Sequence, residues 1–126
     1  MNNASLFRLA LIGFLGVAIQ HSDAGSAVAS DGHGHFSVAY GGPVETAKQR
    51  ALDKAYRKGW ASAKIIAATD MPGYGAIAVA RHPSGNGLVV GIVLAKRSAT
   101  EANTLAIERC LKAGGTNPKV RWSWRD

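Results

Sequence analysis

The chain repeats itself at a distance of 55 residues, and this repeat constrains the fold more than any other feature. Pairs that coincide after the shift include Ala47 with Ala102, Ala51 with Ala106, Asp53 with Glu108, Gly59 with Gly114 and Lys64 with Lys119. Small residues, charged residues and glycines therefore occur in the same order in both halves of the chain. Such a pattern indicates a structural unit that is present twice. We therefore predict two similar units, residues 25–70 and 71–126, that together form a single domain.

The second unit is predicted to run strand, turn, strand, helix, strand. Tyr74 to Arg81 forms the first strand, and a turn rich in glycine leads to the apolar run from Leu88 to Ala95, which is typical of a strand buried on both faces. Ser98 and Glu101 then have the spacing of a capping box at the start of a helix. The last strand is expected to run from Lys119 to Arg125.

The first unit shows the same order less clearly. We predict a turn at Asp31–Gly34, a strand at Phe36–Tyr40 and a helix with Pro43 at its first position. Both helices are rich in alanine, which favours close packing against a sheet. The predicted class is α+β: two strand-strand-helix-strand units, related by an approximate internal two-fold, supply about six strands with two helices on one face.

The final strand alternates apolar and basic residues. Alternation places Val120, Trp122 and Trp124 on one face, and Lys119, Arg121 and Arg125 on the other. The helices carry a large apolar stripe, so we predict that they cover the tryptophan face. The basic residues of the strand would then be exposed. The alternative is that the helices cover the basic face, which would leave an exposed aromatic stripe as an interface with another protein or a second copy.

The N-terminal residues have the pattern of a secretory signal peptide. One arginine precedes an apolar run of 11 residues, Leu9 to Ile19, which is too short for a membrane span of about 20 residues. Small residues follow, so we expect cleavage after Ala24, or alternatively after Ala29. A buried N-terminal helix and an uncleaved anchor remain open alternatives. Cleavage would leave no stable membrane span and would direct the protein to the periplasm or the medium.

Composition excludes several classes of protein. The chain has 126 residues, a net charge of +7 and a single cysteine. One cysteine excludes both a disulfide framework and a four-thiolate zinc site. The balance of apolar and charged residues excludes a disordered acidic tail, a collagen-like repeat and a coiled coil.

The motifs of the second unit resemble a known family. The strand Tyr74-Gly75-Ala76-Ile77-Ala78, the turn rich in glycine and a helix with Ala102, Ala106 and Cys110 are similar to the family catalogued as domain of unknown function 4189. The resemblance covers roughly residues 25–126 and implies export and a similar fold. It assigns no catalytic residues. The family also implies a second cysteine before the final Lys-Val pair, where this chain has Thr116-Asn117-Pro118.

Two sets of side chains are weak candidates for chemistry. His33 and His35 lie on one predicted turn and His82 on the other, and histidines near a carboxylate can bind zinc or copper. The alternative is a solvated polar turn, and we expect neither a metal nor another cofactor. Cys110 lies on the inner stripe of its helix, so we expect a buried thiol rather than a nucleophile. Pairing with a second chain remains an alternative for this cysteine, so an oligomer is possible.

Basic residues form the most distinctive candidate site. They cluster on one helix arc and one strand face, which is the footprint of a surface that binds polyanions. The candidates are Arg50, Lys54, Arg57, Lys58, Lys119, Arg121 and Arg125. The alternative is a solvated face that keeps the protein soluble. An exported protein rarely meets nucleic acid, so an anionic polymer or surface is the expected partner.

Three functional hypotheses follow. The first is a non-enzymatic exported protein that binds a partner, for example another protein. The second is a polyanion or anionic-surface binder that uses the basic residues. The third is a small hydrolase, although no spacing of serine, histidine and aspartate selects a catalytic set.

Overall fold

The structure is a computed structural model that describes residues 24–126. The predicted signal peptide, residues 1–24, lies outside the described residues except for Ala24. The described elements, in chain order, are β1 (Ser26–Ser30), β2 (Phe36–Tyr40), α1 (Val44–Arg57), β3 (Lys64–Thr69), β4 (Tyr74–Arg81), β5 (Leu88–Lys96), α2 (Ala99–Lys112) and β6 (Thr116–Arg125). Neither of these helices combines the length and the apolar character that a membrane crossing requires.

The α+β class and the predicted order of six strands and two helices are confirmed. The strands form two antiparallel sheets of three, with the orders β2-β1-β3 and β5-β4-β6. In each sheet the first strand of the unit is central, and its second and third strands are the edges. The internal two-fold stays a prediction, which this shared topology supports.

The expected placement of both helices on one face is wrong. Helix α1 packs on the first sheet, where Ala47 and Ala51 meet Ala27, Ala29 and Ala39. Helix α2 packs in the same way on the second sheet. The layers therefore run α1, first sheet, second sheet, α2, because the central strands are apolar on both faces and need cover on both.

A third cluster joins the faces of the two sheets that point away from the helices. It contains Val28 and Phe36 from the first unit, and Ile77, Val79 and Trp124 from the second. The Phe36 and Trp122 rings lie 5.2 Å apart between centroids, at an angle of 59°. This cluster explains the apolar run of β5, which faces α2 on one side and the first sheet on the other.

Trp124 is buried and Trp122 is partly buried, but neither lies under a helix as we expected. Ile77 pairs with Trp122 whereas the next residue, Ala78, pairs with Val120, so Arg121 is an extra residue in a β-bulge. The bulge shifts the alternation. Trp122 and Trp124 therefore point toward the first sheet, whereas Val120 packs against the core beneath α2.

The two helices begin in different ways. Ser98 Oγ accepts a hydrogen bond from the Glu101 amide at 3.0 Å, and the Glu101 carboxylate accepts one from the Arg97 amide at 2.9 Å. The predicted cap of α2 is thus confirmed. Pro43 is the N-cap of α1 rather than its first helical residue, and it provides no side-chain cap.

Candidate functional site

A groove of about 980 Å³ opens between β3 of the first sheet and β5 of the second. Its apolar side chains are Phe36, Ile66, Leu88, Val90 and Ile92. Ile66 and Leu88 remain 42% and 45% exposed, although both are large and apolar. The groove is therefore a concave apolar surface at the open side of the core between the sheets.

The turn between β1 and β2 closes one end of the groove. Asp31 lines the groove and organises this turn: its Oδ1 accepts the His33 amide at 2.8 Å and its Oδ2 accepts the His35 Nδ1 at 2.7 Å. The hydrogen bond from the His35 ring is the main cause that holds the pKa of the Asp31 carboxyl below its usual range. Both carboxylate oxygens thus have partners within the turn.

The same turn is held against the loop that follows α1. The His35 ring stacks on Trp60 with centroids 4.6 Å apart and planes within 7°. Lys58 lies over the Trp60 ring at 5.3 Å, which is cation–π distance. These contacts join the turn at the groove end to the loop that follows α1.

The remaining charges that line the groove are positive. Lys64 is exposed on β3, and Arg109 extends from α2 to donate from Nη1 to the Ile92 carbonyl at 2.5 Å. Among residues 24–126, neither side chain has a carboxylate within 4.0 Å. An apolar groove with a cationic rim can hold an apolar ligand that carries a negative charge.

No family model, curated protein or solved structure matches this chain. The resemblance noted from the sequence therefore stays a prediction.

The predicted basic surface is not continuous. Arg50 and Lys54 bind backbone: Arg50 Nη2 donates to the carbonyls of Tyr40 and Gly41 at 2.9 and 2.6 Å, and Lys54 Nζ donates to the Val38 carbonyl at 2.6 Å. These bonds occupy carbonyl groups at the edge strand β2 and its end, which discourages pairing with another chain. Arg57 and Lys58 are exposed at the end of α1.

The basic residues of β6 are exposed, as we predicted, but they do not share a face. Lys119 pairs with Val79, which points to the first sheet, whereas Arg125 pairs with Tyr74 on the α2 side. The bulge at Arg121 separates them, and its guanidinium lies 4.9 Å from the Trp122 ring. The expectation of one basic strand face is wrong, because a sequence alternation does not show a bulge.

The acidic C-terminal residue lies near part of the basic set. Burial raises the pKa of the Asp126 carboxyl, and the Gly41 amide and the charge of Arg50 act in the opposite direction. Arg50 therefore lies close to the end of β6, where Arg125 precedes Asp126. The Asp126 carboxylate therefore weakens the positive potential around Arg50.

The histidines are divided between two turns. His33 Nδ1 lies 3.9 Å from the Asp31 carboxylate and is thus near His35, whereas His82 Nδ1 lies 2.9 Å from Ser84 Oγ in the other turn. Within residues 24–126 no three histidine, cysteine, aspartate or glutamate side chains are grouped so that they could hold a metal ion.

Cys110 is fully buried, which confirms the prediction of its place on the inner stripe of α2. Its Sγ donates to the Val89 carbonyl at 3.2 Å. Burial raises the pKa of the thiol, so the protonated form is favoured. These surroundings suit a small core residue rather than a nucleophile.

Sequence analysis missed the groove residues Ile66, Lys64 and Arg109. Lys64 appeared only as a match within the repeat, and nothing in the chain indicates which strand edges meet. Leu88 entered the sequence analysis only as the first residue of the apolar run that predicts β5.

Proposed function

We propose that this chain is an exported, non-enzymatic binding protein that holds its partner in the groove between β3 and β5. The observation that carries the proposal is the pair of large exposed side chains, Ile66 and Leu88, on a concave apolar surface. Exposed apolar surface of this kind is costly in water and usually marks a place of binding.

Export is supported by the sequence of residues 1–24, with a short basic start, an apolar run and small residues around Ala24. The resemblance to exported proteins of the domain of unknown function 4189 family points the same way. We propose the periplasm or the medium as the location of the mature protein.

A hydrolase is less well supported. The Asp31–His35 pair has the geometry of an orienting carboxylate and a base. Such a pair also needs a nucleophile at the other ring nitrogen. In the described part of the chain, Asp31 is the one hydrogen-bond partner of the His35 ring, and Cys110 is buried.

Polyanion binding remains a second candidate, favoured by basic residues that lie over aromatic rings. Arg121 lies over Trp122 and Arg125 over Tyr74, at 4.9 and 5.7 Å. Elution from heparin tests it: a steep dependence on salt that weakens in the double variant Arg121→Gln/Arg125→Gln would support this surface. Elution at low salt with no change in that variant would reject it.

A matched pair of leucines tests the groove. Leu88 lies in the groove and is 45% exposed, and Leu111 lies outside it on α2 and is 51% exposed. A photo-crosslinking amino acid at position 88 should capture the partner in the native compartment, whereas the same group at position 111 should not. Equal capture at both positions, or capture at 111 alone, would contradict the proposal.

A further inference from the structure

We infer that the groove binds a single-chain amphiphile with one anionic head group, specifically a free alkyl carboxylate. This inference rests on the proposed function and names the ligand class of the same site. It is carried by the combination of apolar walls with two cations at their rim.

The apolar walls come from both units. Phe36 is buried at the base, and Ile66 and Leu88 are large side chains that water still reaches. Between them, Val90 and Ile92 continue the face of β5 that points to the first sheet. An alkyl chain along this face would remove Ile66, Leu88 and the partly exposed Val90 and Ile92 from water. The gain grows with each methylene buried.

The head group would meet Lys64 and Arg109. One Nη of Arg109 is bound to the Ile92 carbonyl, which fixes the guanidinium at the groove and leaves other N–H groups for a ligand. The one acidic side chain of the lining is Asp31, and its two oxygens already accept bonds from the turn. Charge complementarity therefore favours an anion over a cation or a neutral head.

The size and shape of the groove favour a free molecule over a membrane surface. A volume of about 980 Å³ lies at the upper end of the range of pockets that hold small molecules, roughly 300–1,000 Å³. The apolar side chains lie inside a cleft between two sheets, where a flat bilayer cannot follow them. A single alkyl chain can enter such a cleft.

Calorimetric titration with octanoate, decanoate and dodecanoate below their micellar concentrations tests the inference, with the alcohols of equal length as neutral probes. We expect one carboxylate per chain, with binding about fourfold tighter for each added methylene, the equivalent of about 0.8 kcal/mol. The alcohols should bind more weakly at every length. Equal affinity for carboxylate and alcohol, or no heat at millimolar carboxylate, would overturn the inference.

Matched variants locate the site. Lys64→Gln should weaken decanoate binding about fivefold, and Leu88→Ser about tenfold. Lys112→Gln and Leu111→Ser, on exposed parts of α2 outside the groove, should leave it unchanged. All four replace exposed residues, and an unchanged thermal transition verifies folding. Equal weakening in the α2 variants would mean surface adsorption and would overturn the inference.

Failure of the ligand class and failure of the proposed function give different results. If carboxylates do not bind but position 88 still captures a partner, the groove is a binding site for another class of molecule. If neither carboxylate binding nor capture at position 88 occurs, both proposals are wrong.

Discussion

The two units share more than an order of elements. Each third strand carries a one-residue bulge at an equivalent place: Ile66 in the first unit and Arg121 in the second, 55 residues apart. Each helix also binds a carbonyl of the neighbouring edge strand, through Lys54 in α1 and Arg109 in α2. These coincidences support the predicted internal repeat.

The difference between the units lies at the residue after the bulge. Trp122 follows Arg121 and packs against Phe36, which fills the space between β6 and β2. Ala67 follows Ile66 at the equivalent place in β3. Ala67 and Trp122 both contact the cluster between the sheets, so the methyl group of Ala67 supplies much less apolar bulk on the β3 side than the indole supplies on the β6 side.

The largest expected effect concerns how closely each helix approaches its sheet. A Cβ at Gly91 would run into the Ala106 carbonyl of α2, so Gly91→Ala should lower the free energy of unfolding by about 3 kcal/mol. The first unit already has a side chain under its helix at Ala39, and Ala39→Gly should cost only about 1 kcal/mol. Urea denaturation measures both. Equal losses would mean that the helices pack alike.

The N-caps of the two helices are also expected to contribute differently to stability. Ser98→Ala removes the hydrogen bond to the Glu101 amide and should cost about 1 kcal/mol in denaturation experiments. Pro43→Ala, at the N-cap of α1 that has no side-chain bond, should change stability by less than about 0.5 kcal/mol. A larger loss at Pro43 than at Ser98 would show that the stability of the first helix depends on the rigidity of the proline.

The smallest expected effect is on acid stability. The pKa of Asp31 is lowered in the folded state, so its carboxylate stabilises the fold above the usual pKa of aspartate. This contribution is lost as the pH falls through the lowered folded value. Asp31→Asn should therefore lower the thermal midpoint at neutral pH. Between neutral pH and about pH 3, the thermal midpoint of this variant should also decrease less than that of the wild type. Asp70→Asn, at an exposed position between the units, serves as the control. Parallel pH profiles for wild type and Asp31→Asn would contradict the role of the turn.

Much of the fold could be predicted from local sequence. Residues within one turn or one pleat are enough to predict several features. These are the strands near Tyr74 and Phe36, the cap at Ser98 and the buried stripe that ends at Cys110. Such signals are physical consequences of neighbouring residues, so they do not depend on the rest of the fold.

The arrangement of the sheets could not be predicted in this way. The predicted placement of both helices on one face is inconsistent with the apolar run of β5, which indicates cover on both faces. The bulge at Arg121 depends on pairing with β4, so Lys119 to Arg125 alone suggests unbroken alternation. The groove requires both facts, because it lies where the edges of two sheets meet.

The contact between Phe36 and Trp122 tests the central claim, that the two sheets face each other, most directly. A nuclear Overhauser spectrum of the dilute protein should show cross-peaks between the Phe36 ring and the Trp122 indole, whose centroids are 5.2 Å apart. Their intensity should not change with protein concentration. If these cross-peaks are missing and the indole instead contacts Leu105 of α2, the tryptophan lies under a helix and the account is wrong.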